Sequence, residues 1–217
     1  MADEDEILVT LGAQNALYLL SSLLVRPGVK VAMEEPGYQA ARNAFLLKSN
    51  DLQSMPLDQE GLIVDERLND CSFVYVTPSH HYPSTVTMSL ARRRALLDAA
   101  TDYGFVIIED DYEFETNYLS EPIPALKSLD RDDRVIYVGS LSKSLFPGLR
   151  LGYMVGPRQL ISEVRALRRL MLHHPPNNNQ RTAALFMALG YHDTLIKRLH
   201  KVYRERWQKM GEALEKH

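Results

Sequence analysis

Short runs of reactive side chains follow the predicted strands of this 217-residue chain. The runs read Pro78-Ser79-His80-His81-Tyr82-Pro83, Asp110-Asp111-Tyr112 and Ser140-Leu141-Ser142-Lys143. Arg150 comes seven positions after Lys143, and Gly12-Ala13-Gln14 opens the first predicted helix. Ligands of open α/β sheets bind outside the carboxyl ends of the strands. We therefore expect these side chains to meet at one edge of a sheet.

Each run taken alone has an ordinary interpretation. A lysine after a strand is usually only solvated, and Asp110 and Asp111 could cap a helix or bind a metal. The segment Gly12-Ala13-Gln14 could be no more than a helix start. The order of the runs and their expected convergence favour a binding site over these separate explanations.

The residue types at this edge suit one chemistry. The amine of Lys143 can form a Schiff base with a carbonyl. A buried carboxylate such as Asp110 beside a pyridine nitrogen favours the protonated ring, which then accepts electrons. Tyr112 could hydrogen-bond a phenolic oxygen of the same ring.

A second group of residues suits a phosphate. The start of the first helix offers unpaired N–H groups and the positive end of the helix dipole. Ser140 and Ser142 add hydroxyl donors, and Arg150 adds a fixed cation. An aldehyde, a pyridine and a phosphate together describe pyridoxal 5'-phosphate, so the sequence predicts this cofactor and no metal.

Strands and helices alternate along most of the chain. Strands are predicted over Val29–Met33, Phe73–Thr77, Phe105–Glu109, Val135–Gly139 and Leu151–Val155, with Ile7–Thr10 before them and Asn50–Pro56 as a weaker candidate. Helices are predicted over Ala13–Leu24, Tyr38–Leu47, Ser89–Tyr103, Leu160–Leu172, Gln180–Leu189 and Thr194–Glu215. This alternation predicts an α/β fold of three layers, with a mostly parallel sheet between helices.

Composition narrows the class of protein. The chain is 45% hydrophobic and 24% charged, which excludes a disordered, collagen-like or disulfide-stapled chain. Cys71 is the single cysteine, which excludes an intrachain disulfide and favours a reducing compartment. No apolar run approaches the roughly 20 residues of a membrane span. We expect a soluble, cytoplasmic protein without a membrane partner.

Charge is distributed unevenly. Residues 1–157 carry 13 basic and 23 acidic side chains, whereas residues 158–217 carry 12 basic and 5 acidic ones. A basic tail can indicate nucleic-acid binding. The apolar residues of the last predicted helix recur at three- and four-residue steps, so we interpret its basic residues as the solvated face of an amphipathic helix.

Five strings of the sequence resemble a known family. They are VTLGAQNAL, EEPGYQAAR, YVTPSHHYPSTVTMS, VIIEDDYEFE and IYVGSLSKSLFPGLRLGYMVGP. They resemble the large domain of fold-type I aminotransferases, and in particular the aminotransferase-like effector domain of MocR/GabR-type regulators of the GntR family. The resemblance runs from about Ile7 to the end of the chain.

The resemblance implies a role for each matching residue. Lys143 would hold the cofactor as an internal aldimine, Asp110 would pair with the pyridine nitrogen, and Tyr112 with the ring oxygen. Tyr38 would stack on the ring, and His80 would lie near its edge. The phosphate would be held at the helix start and the turn after the strand, by Gly12, Ala13, Gln14, Ser140, Ser142 and Arg150. The chain departs from the family at His81, where glutamine is usual, and at Thr85, where glycine is usual.

The resemblance also implies a domain organisation. Residues 1–217 would form one cofactor-binding domain, without the N-terminal winged helix-turn-helix that binds DNA and without the C-terminal small domain. The whole protein would be a homodimer. An amino-compound effector would form an external aldimine and displace Lys143, and so alter DNA binding by the separate domain.

Two other functions stay open. The same residues suit a free-standing aminotransferase that acts on amino acids, with Lys143 as the general base. A binding module without cofactor, or a metal-dependent hydrolase built on Asp110 and Asp111, is a third possibility. No His or Cys lies at the usual ligand spacing from those aspartates.

Overall fold

A seven-stranded sheet forms the centre of the protein in this computed structural model, which describes residues 2–113, 123–145 and 147–215. The sheet has the spatial order β1-β9-β8-β7-β6-β2-β3, and β4 and β5 form a separate hairpin. The strands are β1 (Ile7–Thr10), β2 (Val31–Glu34), β3 (Leu52–Met55), β4 (Leu57–Asp58), β5 (Gly61–Leu62), β6 (Phe73–Val76), β7 (Val106–Asp111), β8 (Val135–Ser140) and β9 (Gly152–Val155).

Most neighbouring strands of this sheet are parallel. The pairs from β3 through β2, β6 and β7 to β8 all run in the same direction. β9 runs opposite to both of its neighbours, β8 and β1. The carboxyl ends of β7 and β8 therefore lie beside the start of β9 and the end of β1, because Ser140 is opposite Gly152 and Gly152 is opposite Thr10.

Helices cover both faces of the sheet. They are α1 (Ala13–Leu24), α2 (Gln39–Leu46), α3 (Leu90–Tyr103), α4 (Leu126–Leu129), α5 (Arg158–Leu172), α6 (Asn177–Ala188) and α7 (Tyr191–Leu214). Short connections between a strand and the next helix are typical of such α/β units. α1 and α2 therefore begin near the carboxyl edge of the sheet, whereas α5, which follows the antiparallel strand β9, begins at the opposite edge.

Two apolar cores lie on opposite faces of the sheet. One joins α1, α2 and α5 to the sheet, for example through Leu17, Met33 and Ile161. The other joins α3 and α4 to the opposite face, for example through Leu96 and Leu126. This arrangement confirms the predicted three-layer α/β fold.

The predicted elements agree with the structure to within a few residues. The structure adds the hairpin of β4 and β5 and the short helix α4, which were not predicted. Both are too short to carry a recognisable hydrophobic period. Within the described ranges, no helix combines the length and the apolar character that crossing a membrane requires.

The last helix packs less tightly than the others. No residue of α7 is buried, and Trp207, Met210 and Leu214 are each about half exposed or more. The basic face predicted for this helix is solvated. Its apolar residues Leu195, Leu199 and Val202 are partly buried, whereas the described residues leave those nearer its end exposed.

Candidate functional site

The predicted site residues converge on one cavity at the carboxyl edge of the sheet. The cavity has a volume of about 310 Å³. Its lining consists of residues from six separate segments: Gly12, Ala13, Gln14, Tyr38, Tyr82, Asp110, Tyr112, Ser140, Ser142, Lys143 and Arg150. Ten of the eleven residues predicted from the sequence are in this set, and His80 is the exception.

One end of the cavity is built from the N-terminus of α1. Gly12 precedes the helix with φ of +80°, a conformation that glycine adopts without strain. A Cβ placed on Gly152 of β9 would lie 2.6 Å from the carbonyl carbon of Gly12, so only glycine at position 152 lets the helix start lie against the strand. The first N–H groups of the helix have no partner within the helix and point out of its end.

Arg150 adds a cation at the same place. A guanidinium nitrogen of Arg150 would be 3.3 Å from a Cβ placed on Gly12. Arg150 itself has φ of +50°, which is costly for a residue with a side chain. A guanidinium beside the positive end of a helix dipole is unfavourable until an anion lies between them. This end of the cavity therefore suits a phosphate.

Two serines complete the anion end. Ser140 is the last residue of β8, and its hydroxyl accepts a hydrogen bond of 3.2 Å from the backbone N–H of Ser142. Both side chains line the cavity. The turn that follows β8 thus presents hydroxyl groups beside the helix start.

Asp110 forms the buried wall of the cavity. It lies one residue before the end of β7 and is 2% exposed. The Tyr75 hydroxyl donates a hydrogen bond of 2.8 Å to Oδ2, whereas Oδ1 has no hydrogen-bond partner among the described residues. Burial raises the pKa of Asp110 to about 7, although the bond from Tyr75 acts in the opposite direction. Oδ1 of Asp110 can therefore accept a hydrogen bond from a ligand in the cavity.

Lys143 lies in the turn after β8 and its side chain is exposed. Lys143 and Asp110 line the same cavity of about 310 Å³, so a single small molecule can contact both. An accessible amine and a buried acid on one cavity fit a ligand that carries both an electrophilic carbon and a basic ring nitrogen.

Tyrosines form the remaining walls. The ring of Tyr38 lies edge-on to the ring of Tyr82, with centroids 5.7 Å apart and an interplanar angle of 80°. The Tyr112 hydroxyl donates a hydrogen bond of 3.0 Å to the backbone carbonyl of His80, and burial raises the pKa of Tyr112, so it stays a neutral phenol. Its oxygen still has lone pairs to accept a bond from a ligand.

His80 lies beside this cavity and does not line it. Its ring centroid is 6.4 Å from that of Tyr112, and Nε2 is 3.9 Å from a carboxylate oxygen of Glu113. Sequence reasoning did not select Tyr82, two residues later, which does line the cavity. The two residues belong to one loop, and only the folded loop shows which of them faces inward.

A buried polar network under this loop was also missed. His81 Nδ1 is 2.6 Å from the Ser84 hydroxyl, and Nε2 is 3.5 Å from Oε2 of Glu34. The same Oε2 accepts bonds from the backbone N–H and hydroxyl of Thr77. Burial raises the pKa of Glu34 to about 7 and lowers that of His81. The loop after β6 is thereby tied to the end of β2.

The neighbouring carboxylate, Asp111, points to the other face of the sheet. Successive strand residues alternate between faces, and the Tyr137 hydroxyl donates a hydrogen bond of 3.1 Å to Asp111 Oδ2 there. The two aspartates therefore cannot bind one metal ion together. Across the described ranges, no three His, Cys, Asp or Glu side chains come together as a metal site.

The sequence profile of the family described as "Aminotransferase class I and II" matches residues 1–217. The chain belongs to this family. The match covers every strand and helix that builds the cavity.

Relatives of this chain include both regulators and aminotransferases. The HTH-type transcriptional regulator TauR of Rhodobacter capsulatus is 47% identical over 97% of this chain and 43% of its own length. The probable rhizopine catabolism regulatory protein MocR of Rhizobium meliloti is 36% identical over 97% of this chain and 43% of its own. The kynurenine aminotransferase of Pyrococcus horikoshii, solved in complex with PMP, superposes with a TM-score of 0.94 at 35% identity, over 99% of this chain and 56% of its own.

The chain spans less than half the length of the two regulators and a little over half of the aminotransferase. What all three share with it is the aminotransferase-like fold. The similarity to the MocR-type regulators, with its higher identity, agrees with the resemblance noted in the sequence.

Proposed function

We propose that this chain is the pyridoxal-phosphate-binding domain of a MocR-type transcriptional regulator and that it senses a small amino compound. The observation that carries the proposal is the cavity in which the unpartnered Oδ1 of buried Asp110, the amine of Lys143 and the anion end at Gly12 lie together. Membership in the aminotransferase family supports the same cofactor.

The side chains present fit each part of this cofactor. The helix start, the two serines and Arg150 would hold the phosphate. Asp110 would pair with the ring nitrogen through Oδ1, which otherwise lacks a donor. Lys143 would bind the aldehyde carbon, and Tyr38 and Tyr112 would contact the ring and its phenolic oxygen.

Bound pyridoxal phosphate would supply an aldehyde that condenses with amines and a ring that stabilises negative charge. The chain's own residues then have separate tasks. Asp110 would accept a hydrogen bond from the ring nitrogen at Oδ1. Lys143 would hold the aldehyde carbon, and its Nζ can carry a proton when it is free.

A sensor is favoured over an enzyme by the relatives. The regulator TauR is 47% identical to this chain, whereas the kynurenine aminotransferase is 35% identical. The free-standing aminotransferase remains the second candidate, since a sensor and an enzyme need the same cofactor chemistry. DNA binding in our proposal belongs to a separate winged helix-turn-helix domain, and the whole protein is a cytoplasmic homodimer.

The cofactor assignment is tested by titrating the purified domain with pyridoxal phosphate. We expect a new absorption band in the visible or near-ultraviolet range and, after borohydride reduction, a phosphopyridoxyl group on the peptide that contains Lys143. Lys143→Ala should abolish the trapped product. Lys201→Ala, an exposed lysine on α7 outside the cavity, should leave it unchanged. A label spread over other lysines would contradict the assignment.

Sensing and turnover are separated by adding an amine and then a keto acid to the loaded domain. A sensor should show a spectral change with the amine that reverses on dilution, with little keto acid formed. Rapid cycling of the spectrum as keto acid is added would instead favour the aminotransferase. The domain alone should not shift a DNA fragment in a gel, and a specific shift would contradict the separate-domain proposal.

A further inference from the structure

Tyr75 holds one oxygen of Asp110 from within the core. Tyr75 lies on β6, and Asp110 lies on the parallel neighbour β7. The phenol donates to Asp110 Oδ2 at 2.8 Å. Tyr75 is 1% exposed and Asp110 is 2% exposed, so water does not compete for this bond. Above its pKa of about 7 the Asp110 carboxyl is charged, and hydrogen bonds to a charged group are about twice as strong as neutral ones.

The tyrosine ring is fixed in place by its packing. It lies among the apolar residues beneath α1 and α2, with its ring centroid 5.9 Å from that of Phe45. Burial and the adjacent carboxylates raise the pKa of Tyr75 far above its usual value, so the hydroxyl keeps its proton and remains a donor. The phenol cannot follow the carboxyl group if that group rotates, and it therefore fixes the orientation of Asp110.

The other oxygen of Asp110 is left for the cavity. Oδ1 has no partner among the described residues, and Asp110 lines the cavity while Tyr75 does not. A buried acceptor without a donor costs roughly 1–3 kcal/mol. A ligand that brings an N–H group into the cavity removes this cost.

We propose that Tyr75 is a positioning residue that occupies Oδ2 of Asp110 and thereby reserves Oδ1 for an N–H donor on a bound heterocycle. This inference rests on the proposed function, because it assumes that the heterocycle is the pyridine of pyridoxal phosphate. Tyr75 does not touch the ligand and acts only through the carboxylate.

The test compares two ligands that differ at one ring atom. Pyridoxal phosphate carries the nitrogen, and its 1-deaza analogue carries a C–H group in its place. Tyr75→Phe, which removes only the hydroxyl, should weaken binding of pyridoxal phosphate about tenfold. It should change binding of the analogue by less than about twofold, because the analogue makes no bond to Oδ1.

Tyr137→Phe is the matched control. It removes a phenol that donates to the neighbouring carboxylate, Asp111, on the opposite face of the sheet. This variant should bind both ligands as the wild type does. In the Asp110→Asn background, Tyr75→Phe should have no further effect on the difference between the ligands.

A second measurement needs no ligand. The pKa of the Asp110 carboxyl can be followed in the free protein by NMR of isotope-labelled aspartate, with Asp110→Asn used to assign the signal. Tyr75→Phe should raise that pKa by about 1 unit, and Tyr137→Phe should not change it. A raised pKa together with the selective loss of affinity supports the proposal.

Each contrary result has a distinct meaning. Equal losses for the two ligands, or an unchanged carboxyl pKa in Tyr75→Phe, would show that Tyr75 only supports the fold and would overturn the inference. Wild-type protein that binds neither ligand and leaves Lys143 unlabelled would overturn the proposed function, and the inference with it.

Discussion

Single residues in the loop after β6 show how this chain departs from its family pattern. Thr85 stands where the family resemblance leads us to expect glycine, and it has φ of +65°. The backbone keeps a conformation suited to glycine although the residue is β-branched, and such a residue is a genuine outlier in this region. The hydrogen bond of 2.7 Å from its N–H to the His81 carbonyl holds the turn. The fold therefore tolerates strain beside the cavity.

Relief of that strain is measurable. Thr85→Gly should raise the free energy of unfolding by about 1 kcal/mol, because glycine adopts positive φ without a steric penalty. Urea denaturation at constant pH measures the change. Thr85→Ala is the matched variant, since it keeps Cβ and should recover less than half of the gain. A glycine variant no more stable than the alanine variant would show that φ is not the source of strain.

At the scale of elements, the close contact between β9 and the start of α1 builds the anion end of the cavity. A Cβ on Gly152 would meet backbone atoms of Gly12 and Ala13 at 2.6–2.9 Å, a separation that side chains do not tolerate. Backbone cannot move aside as a flexible side chain can. The helix start must shift if position 152 carries a methyl group.

Gly152→Ala should therefore weaken binding of pyridoxal phosphate by at least about tenfold, because phosphate binding depends on the N–H groups of that helix start. Gly156→Ala is the control at the end of the same strand, where a Cβ would make ordinary contacts of 3.5 Å or more. Its affinity, measured in the same absorbance titration, should match the wild type. Equal affinities for the two variants would refute the role given to this contact.

Arg93 of α3 joins elements that are far apart in the chain. Its side chain is fully buried, donates hydrogen bonds to the carbonyls of Met88, Pro124 and Pro78, and lies 3.7 Å from Glu109. Glu109 in turn accepts the first N–H groups of α4. This buried pair connects the loop after β6 with the segment that leads into α4.

Arg93→Ala should lower the free energy of unfolding by about 3–5 kcal/mol, because it leaves a buried carboxyl group and three carbonyls without their partner. Arg94→Ala removes the next arginine of α3, whose side chain is exposed, and should cost about 0.5 kcal/mol or less. Chemical denaturation of both variants measures the difference. Similar losses of unfolding free energy in the two variants would show that the buried contacts of Arg93 do not stabilise the fold.

The molecule as a whole buries several carboxyl groups, and their protonation couples its stability to pH. Burial raises the pKa values of Glu34, Glu109 and Asp110 to about 7 each. The folded state thus binds more protons than the unfolded state between about pH 4 and pH 7, and its stability must fall as pH rises through that window. His81, whose pKa burial lowers, acts in the opposite direction. Hydrogen bonds from arginines also lower the pKa values of Asp58 and Asp65, but their effect falls mostly below this window.

The free energy of unfolding of the cofactor-free domain should therefore be lower at pH 8 than at pH 5. Asp110→Asn removes one of the three acids. It should be more stable than the wild type by about 2–4 kcal/mol at pH 8, and the difference should shrink toward pH 4. Urea denaturation at several pH values measures this. Asp102→Asn, on the exposed end of α3, should show no such trend, and a pH-independent Asp110→Asn effect would contradict the explanation.

Most of the fold and of the candidate site followed from local sequence patterns. Apolar periods place the strands and helices within a few residues, and polar residues directly after a strand lie at the carboxyl edge in any parallel sheet. Nine cavity residues were found from the residue types at this edge and at the start of the first helix, and Tyr38 was added by the family resemblance. His80 was predicted to lie near the ring edge, whereas Tyr82 of the same irregular loop lines the cavity and was not predicted. No periodicity reports which side chain of such a loop faces inward.

The sequence by itself determined the layers, the edge at which the site lies, and the residue types that give it its chemistry. Only the tertiary structure decided which atoms of these residues are already hydrogen-bonded and which can contact a ligand. Tyr75 takes one oxygen of Asp110 from 35 residues away, Arg150 lies against Gly12 near the start of the sequence, and His81 lies close to Glu34 beneath the loop. Periodicity reports the face of an element on which a residue lies. Periodicity does not report the distances between elements, and the hydrogen bonds and buried charges of the site depend on those distances.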